Sequence, residues 1–416
     1  MSQVESIRNS PEHLPSDRDR RYYLLDFWRG IACLMVIVFH ASFYATRNPE
    51  VPLNGHLLAW IASQTVKLFA GVPIFFVISG YCITAACDAA RWKPNSVQQF
   101  FLRRFRRIFP PYWILLAASA VVIATISWLG FPNLFCDVVY PLPQVSSLTV
   151  SQWIGNITLT ETWRPILFHD RNGLFLTHAW TLCYEEQFYA MCGIALFLSR
   201  HHFFLTITGI TAAVALFLAA VFLGIATPLP GFFFDGHWLI FAAGVLIYYR
   251  LHHASGARGV WLDVCLVAAV IETFILHHTC GDVMFDQWWW GFAFALLIRI
   301  LYRWDLRIAS SIWTRPVALC GVMCYSLYLV HWPIVKGLSH LLFLGGLKNP
   351  WIAFTVTVPL CIFVSILVAW IFHVFVERKF LNSVPRLLVP AQSQPLARPV
   401  TAPVGRNFFP NLFSAG

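Results

Sequence analysis

Two side chains with obvious chemistry lie eleven residues apart in an otherwise apolar run. Arg29 and His40 belong to the stretch Leu24-Leu-Asp-Phe-Trp-Arg-Gly-Ile-Ala-Cys-Leu-Met-Val-Ile-Val-Phe-His40. On an α-helix that spacing is three turns plus roughly 20°, so both point the same way, separated by a rise of roughly 16 Å. A guanidinium pairs bidentately with phosphate or carboxylate oxygens. An imidazole, with a reference pKa of about 6.5, is suited to taking a proton near neutral pH. The plainer reading has Arg29 snorkelling to headgroups and His40 hydrogen-bonded at the interface. One face carrying both groups favours function.

Further polar groups interrupt apolar stretches. Glu185 and Glu186 lie in His178-Ala-Trp-Thr-Leu-Cys-Tyr-Glu-Glu-Gln-Phe-Tyr189. They diverge by about 100° on a helix, so at most one faces a given site. Their expected depth matches His40, where a carboxylate would hold and offset an imidazolium; a solvated acidic helix start is the alternative. Ser79, in Gly71-Val-Pro-Ile-Phe-Phe-Val-Ile-Ser-Gly-Tyr81, either meets a substrate or bonds its own backbone. Arg103, Arg104, Arg106 and Arg107 cluster at the end of another run, where they clamp phosphates or anchor on anionic lipid. Tyr325, Ser326, Tyr328 and His331 form a dense polar group, with Tyr328 and His331 on one helix face. It suits a polar substrate cavity or hydrogen bonding between helices.

The elements that must position these groups are membrane helices. Hydrophobic residues make up 58% of the 416 and charged residues 12%, about half the charge of a soluble domain. That leaves more apolar surface than a soluble core hides, and the expected fold is an all-α polytopic membrane bundle of about ten transmembrane helices. The expected spans are Leu24–Tyr44, Val66–Cys87, Phe109–Leu129, Trp180–Leu198, Phe203–Leu223, His237–Tyr249, Val260–Leu276, Gln287–Tyr302, Val317–Leu338 and Trp351–Phe375. With the N-terminus cytoplasmic, twenty-one of the 29 Lys and Arg fall on the cytoplasmic side and four (Arg47, Arg164, Arg171, Lys348) outside. The positive-inside rule therefore puts both termini in the cytoplasm. The net charge of +10 belongs to this topology, and no nucleic-acid partner is expected.

Residues 1–21 read as a polar cytoplasmic tail without a cleavable signal, and 381–416 as a disordered cytoplasmic tail. No soluble catalytic domain is expected at either end, so the chemistry belongs to the bundle. The eleven Cys show no zinc spacing, and neither a metal nor a permanently bound cofactor is expected; Cys136 and Cys280 share one side and form a candidate disulfide. The adjacent pairs His201-His202, His252-His253 and His277-His278 diverge too far to share a metal and read as interfacial.

Together these stretches resemble the acyltransferase-3 family of membrane-bound O-acyltransferases, over about Tyr23 to Phe380. The segment with Arg29 and His40 resembles the family's Arg-x10-His signature. Phe75-Phe-Val-Ile-Ser-Gly-Tyr81, Arg104-Phe-Arg-Arg-Ile-Phe-Pro110, Trp180-Thr-Leu-Cys-Tyr-Glu-Glu-Gln-Phe-Tyr189, Tyr325-Ser-Leu-Tyr-Leu-Val-His-Trp-Pro333 and Val376-Glu-Arg-Lys-Phe380 follow in the family's order. Thr181 replaces the usual Ser, and Lys379 stands where Pro is common. The resemblance implies a transmembrane acyltransferase domain over 22–380 in the cell inner membrane. It also implies an acyl-CoA donor, usually acetyl-CoA, from the cytoplasm, and an extracytoplasmic carbohydrate acceptor such as exopolysaccharide, O-antigen or a lipid-linked glycan.

On that reading Arg29, Arg103, Arg104, Arg106 and Arg107 gather the donor's phosphates and His40 acts as base, steadied by Glu185 or Glu186. Ser79, Tyr325, Ser326, Tyr328 and His331 contact substrate or the developing oxyanion. Direct transfer and an acyl-His intermediate are both compatible with it. The competing class is a transporter or flippase whose path the same residues line; it needs no CoA site.

Overall fold

The structure, a computed structural model, describes residues 22–47, 53–92, 96–132, 134 and 143–381. The expected tails, apart from Leu381, and Cys136 of the candidate disulfide lie outside these residues. The regular elements among the described residues are all helical, with no strand. The main elements are α1 (Leu25–Ala41), α2 (His56–Lys67), α3 (Gly71–Ala90), α4 (Ser96–Trp128), α5 (Val150–Thr158), α6 (Trp180–Leu198), α7 (Phe203–Phe222), α8 (His237–His252), α9 (Gly256–Cys280), α10 (Val283–Leu301), α11 (Arg315–Val322), α12 (Cys324–Leu344) and α13 (Val358–Phe375).

Every expected span coincides with helix. Among the described residues, six helices are long and apolar enough to cross a membrane: His56–Ala90, Val97–Trp128, Phe203–Phe222, Gly256–Cys280, Cys324–Leu344 and Pro350–Phe375. The other four, α1, α6, α8 and α10, are 17, 19, 16 and 19 residues long. Of these, α1 carries Arg29 and His40 and α6 carries Glu185 and Glu186, while α8 is the shortest of the four. The protein is a multi-pass membrane protein whose outer helices α7 and α9 present apolar faces, with Leu205, Leu216, Trp261 and Ile271 exposed.

Three spans differ from the uninterrupted helices the sequence implies; the first is interrupted at Ser42, before a short helix Phe43–Thr46. The second is broken by a 3₁₀ turn at Leu68–Ala70, and the ninth is divided at Met323 between α11 and α12. Conversely, α4 runs 33 residues through Pro110 and Pro111. The Ile108 carbonyl beside them accepts a hydrogen bond from the Tyr325 hydroxyl at 2.6 Å, tying the proline-weakened turn to α12.

Helix α1 is pinned at its base and its flank. The backbone N–H groups of Tyr23 and Leu24, unsatisfied at a helix start, donate to Asp305 at 2.6 and 2.8 Å. Along the flank, a Cβ at Gly30 would meet the Val317 carbonyl, and one at Gly321 would meet the Asp26 backbone. Small residues here let two helices touch backbone to backbone, the ordinary device of membrane packing. Outside the spans, the 143–179 loop is stitched by Arg164. It pairs with buried Glu161 at 2.8 Å and with Asp170 at 2.9 Å, and it holds the Asp170 carboxyl below its usual range.

Candidate active site

Helices α1, α3, α4, α6 and α12 enclose a cavity of about 490 Å³. At one end stand Arg29 and Arg107, with Cys82 and Cys324 beside them; in the middle, Ser79, Arg104, Glu185 and Tyr325; at the other end, His40, His178, Tyr328 and His331. The helical spacing of Arg29 and His40 thus brings both to one cavity. Phe76 and Leu182 on its lining belong to two apolar clusters, one continuing to Phe188 and Phe241, the other to Ile37 and Leu329.

The middle is ionic and internally paired. Arg104 meets Glu186 Oε1 through Nε at 2.9 Å and Glu185 Oε1 through a terminal nitrogen at 3.1 Å. Its guanidinium also lies 3.6 Å from the centre of the Tyr189 ring, a cation–π contact. The Ser79 hydroxyl donates to the same Glu185 oxygen at 2.8 Å. Arg29 donates to Asp26 at 2.8 Å and to Cys82 Sγ at 3.1 Å.

These contacts correct three expectations. The glutamates hold Arg104 rather than steadying His40. Their depth differs too: Ser79, the Glu185 partner, is only three residues from Cys82, the Arg29 partner, about 4.5 Å of helix. Second, the arginine cluster is split by helix periodicity. Arg104 is buried and ion-paired with two carboxylates, Arg107 reaches the cavity, and Arg103 and Arg106 point outward, Arg103 bonding Gln99. Third, Ser326 faces away from the cavity, donating to Glu377, which also binds His373 Nδ1 at 2.7 Å. Of the adjacent pair, Glu185 lines the cavity.

The far end is a group of imidazoles. His331 Nδ1 bonds the Tyr328 carbonyl at 2.5 Å, and its Nε2 faces His40 Nδ1 at 3.3 Å, the rings nearly parallel at 5.4 Å. A carbonyl only accepts, so His331 carries its proton on Nδ1 and its Nε2 accepts. His40 therefore donates from Nδ1, which puts its lone pair on Nε2. Against His331, at 5.3 Å between ring centres, stands His178. Its backbone carbonyl accepts from the Tyr328 hydroxyl at 2.6 Å, and that hydroxyl meets Thr181 at 2.9 Å. Both His178 ring nitrogens are buried and without a hydrogen-bond partner; the Leu329 carbonyl nearby is outside hydrogen-bonding geometry.

His178 and Asp26 were not among the sequence candidates. His178 stands two residues before the Trp180 motif, and its helical phase to Thr181 was a usable sign. Asp26, three residues before Arg29, was equally readable as an i, i+3 ion pair.

Residues 22–373 match the family model described as an acyltransferase domain, Acyl_transf_3. A protein named as a membrane-bound transacylase, BcsY, from Komagataeibacter xylinus is 25% identical over 409 residues, 95% of this chain and 91% of that protein. The O-acetyltransferase OatA of Staphylococcus aureus (strain NCTC 8325 / PS 47) is 24% identical over 348 residues, 78% of this chain. The peptidoglycan O-acetyltransferase OatA of Listeria monocytogenes serovar 1/2a is 29% identical over 189 residues, 44% of this chain and 24% of that protein. The match spans about half (51%) of the staphylococcal protein's length. No solved structure matches. With six sequence motifs in order and a family match over most of its length, the chain belongs to the acyltransferase-3 family and is a membrane O-acyltransferase.

Proposed function

We propose that the protein moves an acyl group, acetyl by default, from cytoplasmic acyl-CoA to a hydroxyl of an extracytoplasmic carbohydrate. The acceptor classes are exopolysaccharide, O-antigen and lipid-linked glycan. The bundle crosses the cell inner membrane about ten times, with both termini in the cytoplasm. The observation that carries this reading is one cavity with guanidinium groups at one end and imidazoles at the other, joined along α1. The names of the relatives, a transacylase and two O-acetyltransferases, support it.

In this mechanism the donor's phosphates stay at Arg29, whose carboxylate partner Asp26 is partly exposed, and at Arg107, because Arg104 is buried between two carboxylates. The pantetheine arm passes Ser79 and Tyr325, and the thioester carbonyl comes to rest among His40, His178 and Tyr328. The acceptor oxygen attacks the carbonyl carbon while its proton passes to His40 Nε2. His178 donates to the carbonyl oxygen as negative charge builds there. The C–S bond breaks, and the proton leaves His40 for the thiolate, giving an ester and free CoA. An acyl-His intermediate uses the same groups in two steps. The test is NMR of ester-linked acyl groups on the host's surface and secreted glycans. A deletion strain is complemented with wild type or His40→Ala, with protein level followed. Restoration by wild type alone supports the proposal; full restoration by His40→Ala refutes the mechanism. A deletion that changes no acyl ester returns the problem to transport.

A further inference from the structure

One wall of the cavity is left unused by the transfer chemistry. There α10 begins, and Val283, Asp286 and Gln287 line the space; Val66 and Phe69, from the end of α2 and the turn after it, line it as well. The Gln287 amide oxygen is buried with no hydrogen-bond partner. Buried polar atoms are almost always bonded, so an unbonded one on a residue that lines a cavity points to a ligand's donor. Beside it, Asp286 adds a carboxylate whose oxygen stands 3.7 Å from His277 Nδ1. Of the other charged groups here, Lys67 lies close enough to act on Asp286, and Arg47 is stacked over Phe43, its guanidinium 3.9 Å from the ring centre.

The two ends of the cavity therefore select opposite chemistry. Arg29 and Arg107 suit phosphate. Asp286 and Gln287 offer acceptor oxygens to hydroxyl groups, and a carboxylate there disfavours acidic sugars. Phe39 and Phe69 give apolar faces against which a sugar ring can lie.

We propose that Asp286 and Gln287 form the acceptor subsite, binding hydroxyls of a neutral sugar so that another of its hydroxyls reaches His40. This rests on the acyl-transfer reading above and adds the acceptor's location and charge class.

The test uses the full chain. Acyl esters on host glycans are measured in the deletion strain carrying Asp286→Ala, Asp286→Asn or Gln287→Leu. The purified variants are titrated with acetyl-CoA by calorimetry. Losing a hydrogen bond at a desolvated site costs roughly tenfold or more. Asp286→Ala and Gln287→Leu should each lower acyl esters by that amount. Asp286→Asn, which keeps an acceptor oxygen, should lose less. All three should bind acetyl-CoA within about twofold of wild type. Near-normal esters in both Asp286→Ala and Gln287→Leu would overturn the subsite, and so would a parallel loss of acetyl-CoA binding. If Asp286→Ala does not accumulate, Gln287→Leu on the same wall decides. The underlying reading fails differently: wild type would bind no acetyl-CoA, or His40→Ala would keep its esters.

Discussion

The middle of the cavity and its histidine end use polar groups in opposite ways. In the middle, the polar groups have partners inside the protein: Arg104 with Glu185 and Glu186, and Ser79 with Glu185. At the histidine end, the His40–His331 contact is long at 3.3 Å and, among the described residues, the His178 ring nitrogens have no hydrogen-bond partner. Charges in a low-dielectric setting demand compensation, and a bundle that must stand before substrate arrives provides it internally. Neutral imidazoles tolerate a looser setting. The contrast separates groups that build the cavity from groups held ready for what enters it.

Substitutions at the two regions should therefore fail differently. His40→Ala removes the proposed base and should cut transfer by about 10²–10⁴-fold while leaving the detergent-purified protein's thermal midpoint near wild type. A large midpoint drop would move His40 to the structural set. Arg104→Ala should do the reverse. It leaves two carboxylates facing each other without their cation, a loss on the order of 3–5 kcal/mol, read as a lowered midpoint and poor accumulation. A stable Arg104→Ala protein with weakened acetyl-CoA binding would restore Arg104 to the donor site. The arginine cluster sharpens the contrast at smaller amplitude. Arg107→Ala should weaken acetyl-CoA binding by about tenfold, the scale of one charge-assisted contact. Arg103→Ala and Arg106→Ala, pointing outward, should bind as wild type in the same calorimetric titration. Equal effects at all three would mean the cluster acts as a diffuse field.

What was legible in the sequence follows the same division. Helices and the shared face of Arg29 and His40 come from local periodicity, and the cavity keeps them. Tyr328 and His331, three residues apart, reach the same end for the same reason. The partners were not legible, because they depend on which helices meet. Nothing local says that α4 brings Arg104 to the two glutamates of α6, or that Ser326, on the other side of α12 from Tyr325 and Tyr328, meets Glu377. One local sign was available: Arg104, Ile108, Tyr112 and Leu115 form a buried stripe at helical spacing, and it separates Arg104 from Arg103 and Arg106. His178 illustrates another limit. Its significance lies in ring nitrogens left without partners, which only packing reveals.

The smallest effect belongs to the outer loop, where compensation is present but solvent weakens it. Arg164 holds the Asp170 carboxyl below its usual range, against an unfolded value of about 3.9. A carboxyl depressed in the folded state binds fewer protons there than in the unfolded state. Its stabilisation is fully present above the unfolded value and is lost as pH falls through the lower folded one. Hydrogen exchange of residues 150–175 should thus show steady protection from about pH 8 to 5, once corrected for intrinsic exchange, and a decline below about pH 4. Asp170→Asn should lower the neutral-pH protection slightly and flatten the decline, slightly because an exposed ion pair is screened. Glu161, fully buried against the same Arg164, keeps the loop folded in that variant. Were Asp170→Asn to melt the loop at neutral pH, the exposed pair would be carrying what the buried pair is assigned. The rule that compensation matters most where solvent is absent would then fail for this protein.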